Sequence, residues 1–352
     1  MTERAPPPIG RRHESPASTW SRRALTLPVY LGLAVLCLVG APLWLLGTAA
    51  ADLAIGTARA WPRTRAFGFF ALYLACEVVG VLIATLFWLA TLGGRLGGSG
   101  RYLDANAALQ RWWTAALFWG GVWLFSMKVE VEGLELARSG PLLLLVRHAS
   151  TADTVLAAAL VANPNRLLLR YVLKRELLWD PCLDIVGRRL PNAFVDRRAG
   201  RSRAEIDTVG QLARGLDERS AVLIYPEGTR FLPERLAQRL EELRARGPDR
   251  LTAIASGFRH VLPPRLGGSL ALLAAAPGVD VLLLEHTGLE GAESFATFWG
   301  GGMVGTTIRV RLRRFAAEAI PERGRDQWLF ERWSEMDGWI ARWRTDQGGA
   351  EG

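Results

Sequence analysis

Residues 146–156 read VRHASTADTVL, and the histidine and aspartate of this stretch could act together in catalysis. His148 follows an apolar run at 142–146, and Asp153 comes five residues after it. An imidazole beside a carboxylate can act as a general base, because the carboxylate fixes its tautomer and stabilises the imidazolium. A histidine–aspartate pair also arises by chance, so the assignment needs support from the rest of the chain.

Cationic residues follow three other apolar runs, in the segments YPEGTRF (225–231), NAFVDR (192–197) and LKREL (173–177). Gly228 allows a ligand to approach the backbone closely, and the planar guanidinium of Arg230 suits a phosphate group. Arg197 and Lys174 come at the ends of two of the other runs. If these runs are parallel strands, their ends meet at one edge of a sheet, where α/β proteins place their sites.

The elements that would position these residues begin at Lys128, where short apolar runs start to alternate with helix-like segments. The runs cover 142–146, 166–173, 193–196, 221–225, 279–285 and 307–315. The helix-like segments lie near 152–162, 175–187, 201–217 and 233–247. This alternation predicts an α/β domain over 128–320, with a mostly parallel sheet and flanking helices.

Taken together, the motifs resemble those of the glycerolipid acyltransferase family, and of the lysophosphatidate acyltransferases in particular. The family's H-x-S-x-x-D motif matches His148, Ser150 and Asp153, PEGTR at 226–230 matches its third motif, and GRRLPNAFVDR at 187–197 resembles its second. Two positions depart from the family pattern. Arg147 stands where the family usually has Asn, and DVLLLEHTG at 280–288 lacks the proline of the family's fourth motif.

The resemblance implies transfer of an acyl group from a thioester, either acyl-CoA or acyl carrier protein, to the hydroxyl of lysophosphatidate, which gives phosphatidate. His148 would take the proton of the hydroxyl, and Asp153 would orient the imidazole. Arg197 and Arg230 would hold the phosphate, and Glu227 would orient Arg230 or bind an acceptor hydroxyl.

Four further residues belong to the predicted site. Gly228 and Thr229 would contact the substrate, and Ser150 and Lys174 are secondary candidates. Ser150 could equally cap the helix that begins near Thr151, because Ser is a preferred N-cap residue. No metal-ligand spacing and no nucleotide-binding loop occurs, so we expect neither a metal nor a cofactor.

Alternatives remain for the acceptor and for the class of protein. The acceptor could be another lysophospholipid or glycerolipid, or the chain could be a nonenzymatic, lipid-binding membrane protein of the same fold. The net charge of +9 and pI near 10.2 favour anionic partners. No recognisable nucleic-acid motif accompanies this charge, so we expect no nucleic acid as a partner and membrane lipids instead. The resemblance adds a lysophospholipid acceptor and acyl-CoA or acyl carrier protein as partners.

Two long apolar stretches precede the α/β domain. Residues 24–51 carry no charge, and residues 66–94 are interrupted only by Glu77. Both are longer than the ~20 residues that span a bilayer, which predicts spans at 25–48 and 67–92, paired as a transmembrane or membrane-embedded hairpin. Arginines in the N-terminal tail favour cytoplasmic termini, and we expect the membrane to be the cytoplasmic membrane of a bacterium. A signal peptide is the competing interpretation of the first stretch.

The remaining segments complete the predicted organisation. Residues 1–23 form a disordered basic tail, and 24–111 hold the hairpin and a linker. Residues 112–127 carry four tryptophans and are either an interfacial segment or a core helix of the domain. Residues 321–352 form an amphipathic helix and a tail, with an apolar face at Leu329, Trp333, Met336, Ile340 and Trp343 that docks on the domain or on the membrane.

Overall fold

The computed structural model describes residues 14–96, 98–195 and 203–348. Seven strands form one sheet: β1 (Lys128–Glu132), β2 (Leu142–Val146), β3 (Leu168–Lys174), β4 (Ala193–Val195), β5 (Ser220–Ile224), β6 (Asp280–Thr287) and β7 (Thr307–Phe315). Their order is β1-β7-β6-β2-β5-β3-β4. The β6–β7 pair is antiparallel and every other pair is parallel, which confirms the predicted mostly parallel α/β fold.

Six of these strands coincide with the apolar runs of the sequence, and β1 does not. The central strands β2 and β5 are buried along their whole length, so their sequences are continuously apolar. In contrast, β1 reads KVEVE and lies at an edge of the sheet, where its glutamates and Lys128 are exposed. An edge strand needs only one apolar face, and five residues give too short an alternation to detect.

Helices cover both faces of the sheet. They are α5 (Arg203–Leu212), α6 (Pro233–Arg246), α7 (Asp249–Ala255), α8 (Leu266–Ala275), α9 (Phe295–Trp299) and α10 (Arg325–Gly348). The helix predicted near 152–162 is present over Ala152–Ala162, where it begins as a 3-10 turn and ends as a π turn. Near 175–187, a 3-10 turn and a π turn stand where we predicted one helix. On α10, Leu329, Trp333, Met336 and Ile340 are fully buried against the core. The apolar face of this helix therefore docks on the domain.

In residues 14–96 and 98–127, four helices precede the sheet: α1 (Pro16–Val39), α2 (Ala41–Ala54), α3 (Pro62–Ala90) and α4 (Ser99–Leu124). The first predicted span, 25–48, is wrong as a single continuous helix. Helix α1 ends at Val39 and α2 begins at Ala41, with Gly40 between them. Pro42 lacks the N–H that a continuous helix would need, and its ring would clash with a carbonyl one turn earlier. The predicted tail is also too long, since α1 begins at Pro16; residues 1–13 lie outside the described residues.

By length and composition, α1 and α3 could each cross a membrane. However, α3 contacts the α/β domain along its length. At the beginning of α3, Pro62 packs closely against Gly301 of the domain. The contact is so close that a Cβ atom added to Gly301 would lie 2.8 Å from the Cβ of Pro62. Near its middle, Glu77 Oε2 accepts a 3.0 Å hydrogen bond from the backbone N–H of Cys182. Towards its end, the carbonyl of Ala84 accepts a 2.8 Å bond from Arg189.

The tryptophan-rich segment forms the second half of α4, which packs between α3 and the domain. Thr114, Leu117 and Phe118 are buried, as the core-helix alternative requires. Trp119 and Trp123 point outward and are 48% and 79% exposed. One face of this helix thus belongs to the core, and the other presents large apolar rings to the surroundings.

Candidate active site

The predicted His148–Asp153 pair forms at the carboxyl end of β2. The Nδ1 atom of His148 lies 2.9 Å from Oδ1 of Asp153, and both residues are buried. A carboxylate only accepts, so the imidazole carries its proton on Nδ1 and donates it to Asp153. The other ring nitrogen, Nε2, has no hydrogen-bond partner among the described residues. In a neutral imidazole this nitrogen has a free lone pair, which can take a proton from a bound hydroxyl.

The second oxygen of Asp153 is held by the backbone of its own turn. Oδ2 accepts hydrogen bonds from the N–H groups of Ala149 at 2.6 Å and Ser150 at 2.8 Å. The Ser150 hydroxyl accepts from the N–H of Ala152 at 3.2 Å, and the N-cap of the turn that follows is Thr151. Together these bonds fix the carboxylate in the orientation that meets the imidazole.

Tyr225 completes the surroundings of the dyad. Its ring packs against the imidazole of His148 with centroids 4.5 Å apart, and its hydroxyl donates to the Asp153 carbonyl at 3.2 Å. Burial raises the pKa of Tyr225 well above its usual value, so the phenol stays protonated and can donate. Sequence analysis missed this residue, although it directly precedes the PEGTR motif.

Glu227 has a different place from the one we expected. It is completely buried, and its two oxygens accept from the backbone N–H groups of His148 at 3.0 Å and Leu262 at 3.1 Å. The described contacts of its carboxylate do not include Arg230, and its expected role towards an acceptor hydroxyl stays a prediction. Its carboxylate joins the end of β2 to the loop at 260–265.

The next residues of the PEGTR motif form a tight turn beside this carboxylate. Gly228 has a φ of 73°, in the left-handed region that glycine adopts without strain. The hydroxyl of Thr229 accepts a 2.9 Å bond from Arg235. Arg230 donates to the Thr151 hydroxyl at 2.9 Å and to the Glu293 carbonyl at 3.2 Å. The turn thus directs Thr229 towards Arg235 of α6 and Arg230 towards Thr151 and Glu293.

An open cleft of about 560 Å³ lies between the ends of β3 and β5 and helix α6. Its lining includes Lys174, Glu176, Gly228, Thr229, Arg235, Gln238, Arg239, Glu242 and Arg265. Four of these side chains are basic and two are acidic, so the cleft favours an anionic ligand. The predicted residues Lys174, Gly228 and Thr229 meet here, whereas Arg197 lies outside the described residues.

Residues 128–261 match the model of the acyltransferase family. This part of the chain is an acyltransferase domain. The match confirms the family that the motifs predicted, and the acyltransferase domain contains both the His148–Asp153 pair and the PEGTR motif.

The chain is also similar to the crystal structure of a 1-acyl-sn-glycerophosphate acyltransferase from Thermotoga maritima. The two chains share 17% identity with a TM-score of 0.39, over 74% of this chain and 96% of the other. No curated protein matches the chain.

Several residues around the candidate site carried no usable signal in the sequence. Arg235 reaches the cleft from α6, five residues after Arg230, and Arg265 reaches it from the residue before α8. Arginine is abundant throughout this chain, so its presence alone does not single out a position. Within the described residues, no group of three or more His, Cys, Asp or Glu side chains is arranged to hold a metal ion.

Proposed function

We propose that the chain transfers an acyl group from an acyl thioester to the hydroxyl of lysophosphatidate and forms phosphatidate at a membrane surface. The observation that carries the proposal is the geometry of the dyad. Asp153 holds Nδ1 of His148 at 2.9 Å, and Nε2 has no partner among the described residues. This is the arrangement that a general base requires.

In the proposed reaction, the acceptor hydroxyl gives its proton to Nε2 of His148 while its oxygen attacks the thioester carbonyl carbon. Asp153 stabilises the imidazolium that forms. The tetrahedral intermediate then collapses, the carbon–sulfur bond breaks, and the leaving thiolate takes the proton from His148. The products are an ester and a free thiol, and the dyad returns to its starting state.

The cationic cleft supports a phosphate-bearing acceptor. A phosphate monoester carries about −1.5 to −2 charges at neutral pH and has three strong acceptor oxygens. Lys174 and Arg235 line the cleft together with Thr229. We assign the phosphate to this cleft because four basic side chains line it and Arg230 is not part of its lining.

A membrane location supports a lipid acceptor. Apolar side chains cover the outer surfaces of the N-terminal helices, among them Leu38, Leu46, Leu86 and Trp123, each more than 60% exposed. Exposed apolar surface of this extent is typical of a protein that contacts lipid. A single-chain phospholipid could then reach His148 from the bilayer with its headgroup in the cleft.

The test is a turnover assay with purified full-length protein in lipid nanodiscs, read by mass spectrometry. Lysophosphatidate, lysophosphatidylcholine and monoacylglycerol are each offered with acyl-CoA and with acyl carrier protein. We expect phosphatidate as the main product, with kcat/KM for lysophosphatidate roughly 10-fold or more above that for monoacylglycerol, because charged hydrogen bonds to phosphate are lost with the latter. Equal use of the three acceptors would contradict the assigned acceptor, and lipid binding without any product would contradict the enzyme.

A further inference from the structure

The two departures from the family pattern contact one another in the fold. Arg147 Nη1 donates to the backbone carbonyl of His286 at 2.6 Å, and Nε2 of His286 lies 3.0 Å from the backbone carbonyl of Arg147. Both residues are completely buried. The N–H of Arg147 also donates to the Leu284 carbonyl at 3.2 Å. The end of β2, which carries the dyad, is thus tied to β6 by reciprocal bonds.

The Arg147 guanidinium has two further partners. It donates to Oε1 of Glu290 at 2.7 Å and to the His260 carbonyl at 2.9 Å. Burial would raise the pKa of Glu290, but Arg147 and Arg344 outweigh it and hold this pKa below its usual value. The buried positive charge of Arg147 is therefore balanced by a carboxylate, as a buried charge requires.

His286 lies directly behind the dyad. Its Nε2 atom is 3.6 Å from Oδ2 of Asp153, the oxygen that does not bind His148. Because a carbonyl oxygen only accepts, the bond to Arg147 places the proton of His286 on Nε2. Burial lowers the pKa of His286, and Arg147 lowers it further, although Asp153 opposes this. The neutral imidazole of His286 thus donates its Nε2–H to the carbonyl of Arg147. The positive edge of the same ring faces the carboxylate of Asp153.

We propose that His286, held in place by Arg147, is a positioning residue for Asp153 and through it for His148. The Nε2 edge of the His286 ring lies 3.6 Å from Oδ2 and carries partial positive charge, so it attracts the carboxylate that the backbone N–H groups of Ala149 and Ser150 already hold, and it opposes rotation of Asp153 away from Nδ1 of His148. The role of His286 is then to keep the proton of His148 on Nδ1 and Nε2 free. The kinetic part of this inference rests on the proposed function.

The first measurement compares His286→Leu with His286→Gln by steady-state kinetics and thermal unfolding. Leucine removes the donor, whereas the carboxamide nitrogen of glutamine can replace the Nε2–H. We expect kcat to fall on the order of 10- to 100-fold for His286→Leu, with KM for both substrates within about 2-fold of wild type and with most of kcat retained by His286→Gln. Equal kcat losses in the two variants, or losses that follow only the unfolding midpoint, would overturn the proposal.

If His286→Leu does not fold, His286→Asn takes its place, because its shorter carboxamide cannot bring a donor to the Nε2 position. The same kinetic difference is then expected between His286→Gln and His286→Asn. Similar kcat values for these two variants would count against the proposal as well.

The second measurement does not depend on turnover. The chain contains four histidines, so nitrogen NMR of protein labelled in histidine can be assigned by single substitutions. We expect His148 of the wild type to be the Nδ1–H tautomer, and His286→Leu or His286→Asn to give a mixture of tautomers. An unchanged tautomer would overturn the positioning role, even in a protein that transfers acyl groups. A changed tautomer in a protein without turnover would support it and would refute the proposed function alone.

Discussion

The carboxylate of Glu227 accepts a 3.0 Å hydrogen bond from the backbone N–H of His148. The PEGTR motif is therefore tied directly to the turn that carries the dyad. The second carboxylate oxygen of Glu227 accepts from the N–H of Leu262. A single buried side chain therefore joins three segments of the α/β domain. Glu227 thus holds the backbone of His148 and Leu262 in place.

Glu227 also makes the stability of the domain depend on pH. Burial raises its pKa from 4.5 to about 7, although Arg147 and the two backbone N–H groups oppose the effect. The folded chain therefore holds this proton more tightly than the unfolded chain does, and stability falls as the pH rises from about 4.5 through 7. The full loss above this window is roughly 3 kcal/mol. We expect Glu227→Gln to remove this part of the pH dependence of unfolding.

The measurement is the free energy of unfolding of the two proteins between pH 4 and about 8 in one detergent. Glu241→Gln is the matched control, because Glu241 is 74% exposed on α6 and should leave the wild-type slope unchanged. The explanation fails if Glu227→Gln shows the same slope as the wild type.

The dyad makes a prediction about turnover. His148→Ala should lower kcat by ~10²-fold or more, because the general base is lost, and Asp153→Asn should do nearly the same because the imidazole loses its orientation. His260→Asn is the control, since the contacts of His260 with Arg147 and Asp337 are made by its backbone. Steady-state kinetics and circular dichroism are measured for each variant. A folded His148→Ala protein with near-normal kcat would refute the mechanism.

The cleft makes a prediction about the acceptor. Arg235→Gln should raise KM for lysophosphatidate roughly 10-fold or more, because a charged hydrogen-bond donor to phosphate is lost. The KM for the acyl donor should change little. Arg244→Gln is the matched control on the same helix, where Arg244 is 57% exposed and pairs only loosely with Glu241 at 3.6 Å.

Arg230→Lys distinguishes the cleft from the phosphate site predicted by sequence analysis. If the cleft holds the phosphate, Arg235→Gln should weaken lysophosphatidate more than Arg230→Lys does. The opposite ranking would restore Arg230 as the principal phosphate ligand, since a planar guanidinium cannot be replaced by a point charge without loss.

The contacts of α3 favour the membrane-embedded alternative over a full crossing. Its 29 residues extend roughly 43 Å, yet Pro62 near one end and Ala84 near the other both contact the α/β domain. A helix that crosses a bilayer could not keep both ends on a domain that stays on one side. We therefore expect α3 to lie along the domain with its outer face in lipid.

Cysteine labelling in sealed vesicles checks this arrangement. Arg59→Cys and Arg101→Cys flank α3, and Glu241→Cys marks the surface of the domain; each is made in a variant without Cys37. We expect an impermeant maleimide to label all three from the same side, while carbonate leaves the protein in the membrane pellet. Labelling of Arg59→Cys only after the vesicles are opened would show that α3 crosses the bilayer.

Local chemistry determined much of this protein. Burial on both faces makes β2 and β5 continuously apolar, and β6 carries the apolar run 281–284, so these strands and the mostly parallel sheet could be predicted from the sequence. The dyad could be predicted because its members lie in one turn, five residues apart. The face of α10 could be predicted for a similar reason, since the helical repeat alone brings its apolar residues together.

Only the tertiary structure decided the contacts that join distant segments. The role of Glu227 depends on Leu262, and the support of Asp153 depends on His286, which is 133 positions away in the printed sequence. The cleft combines basic residues from β3, α6 and the segment before α8. A sequence pattern reports which residues are apolar or charged at a given spacing. It does not report which strand ends and loops lie next to one another in the fold. These neighbours determine the hydrogen bonds and the charge of this site.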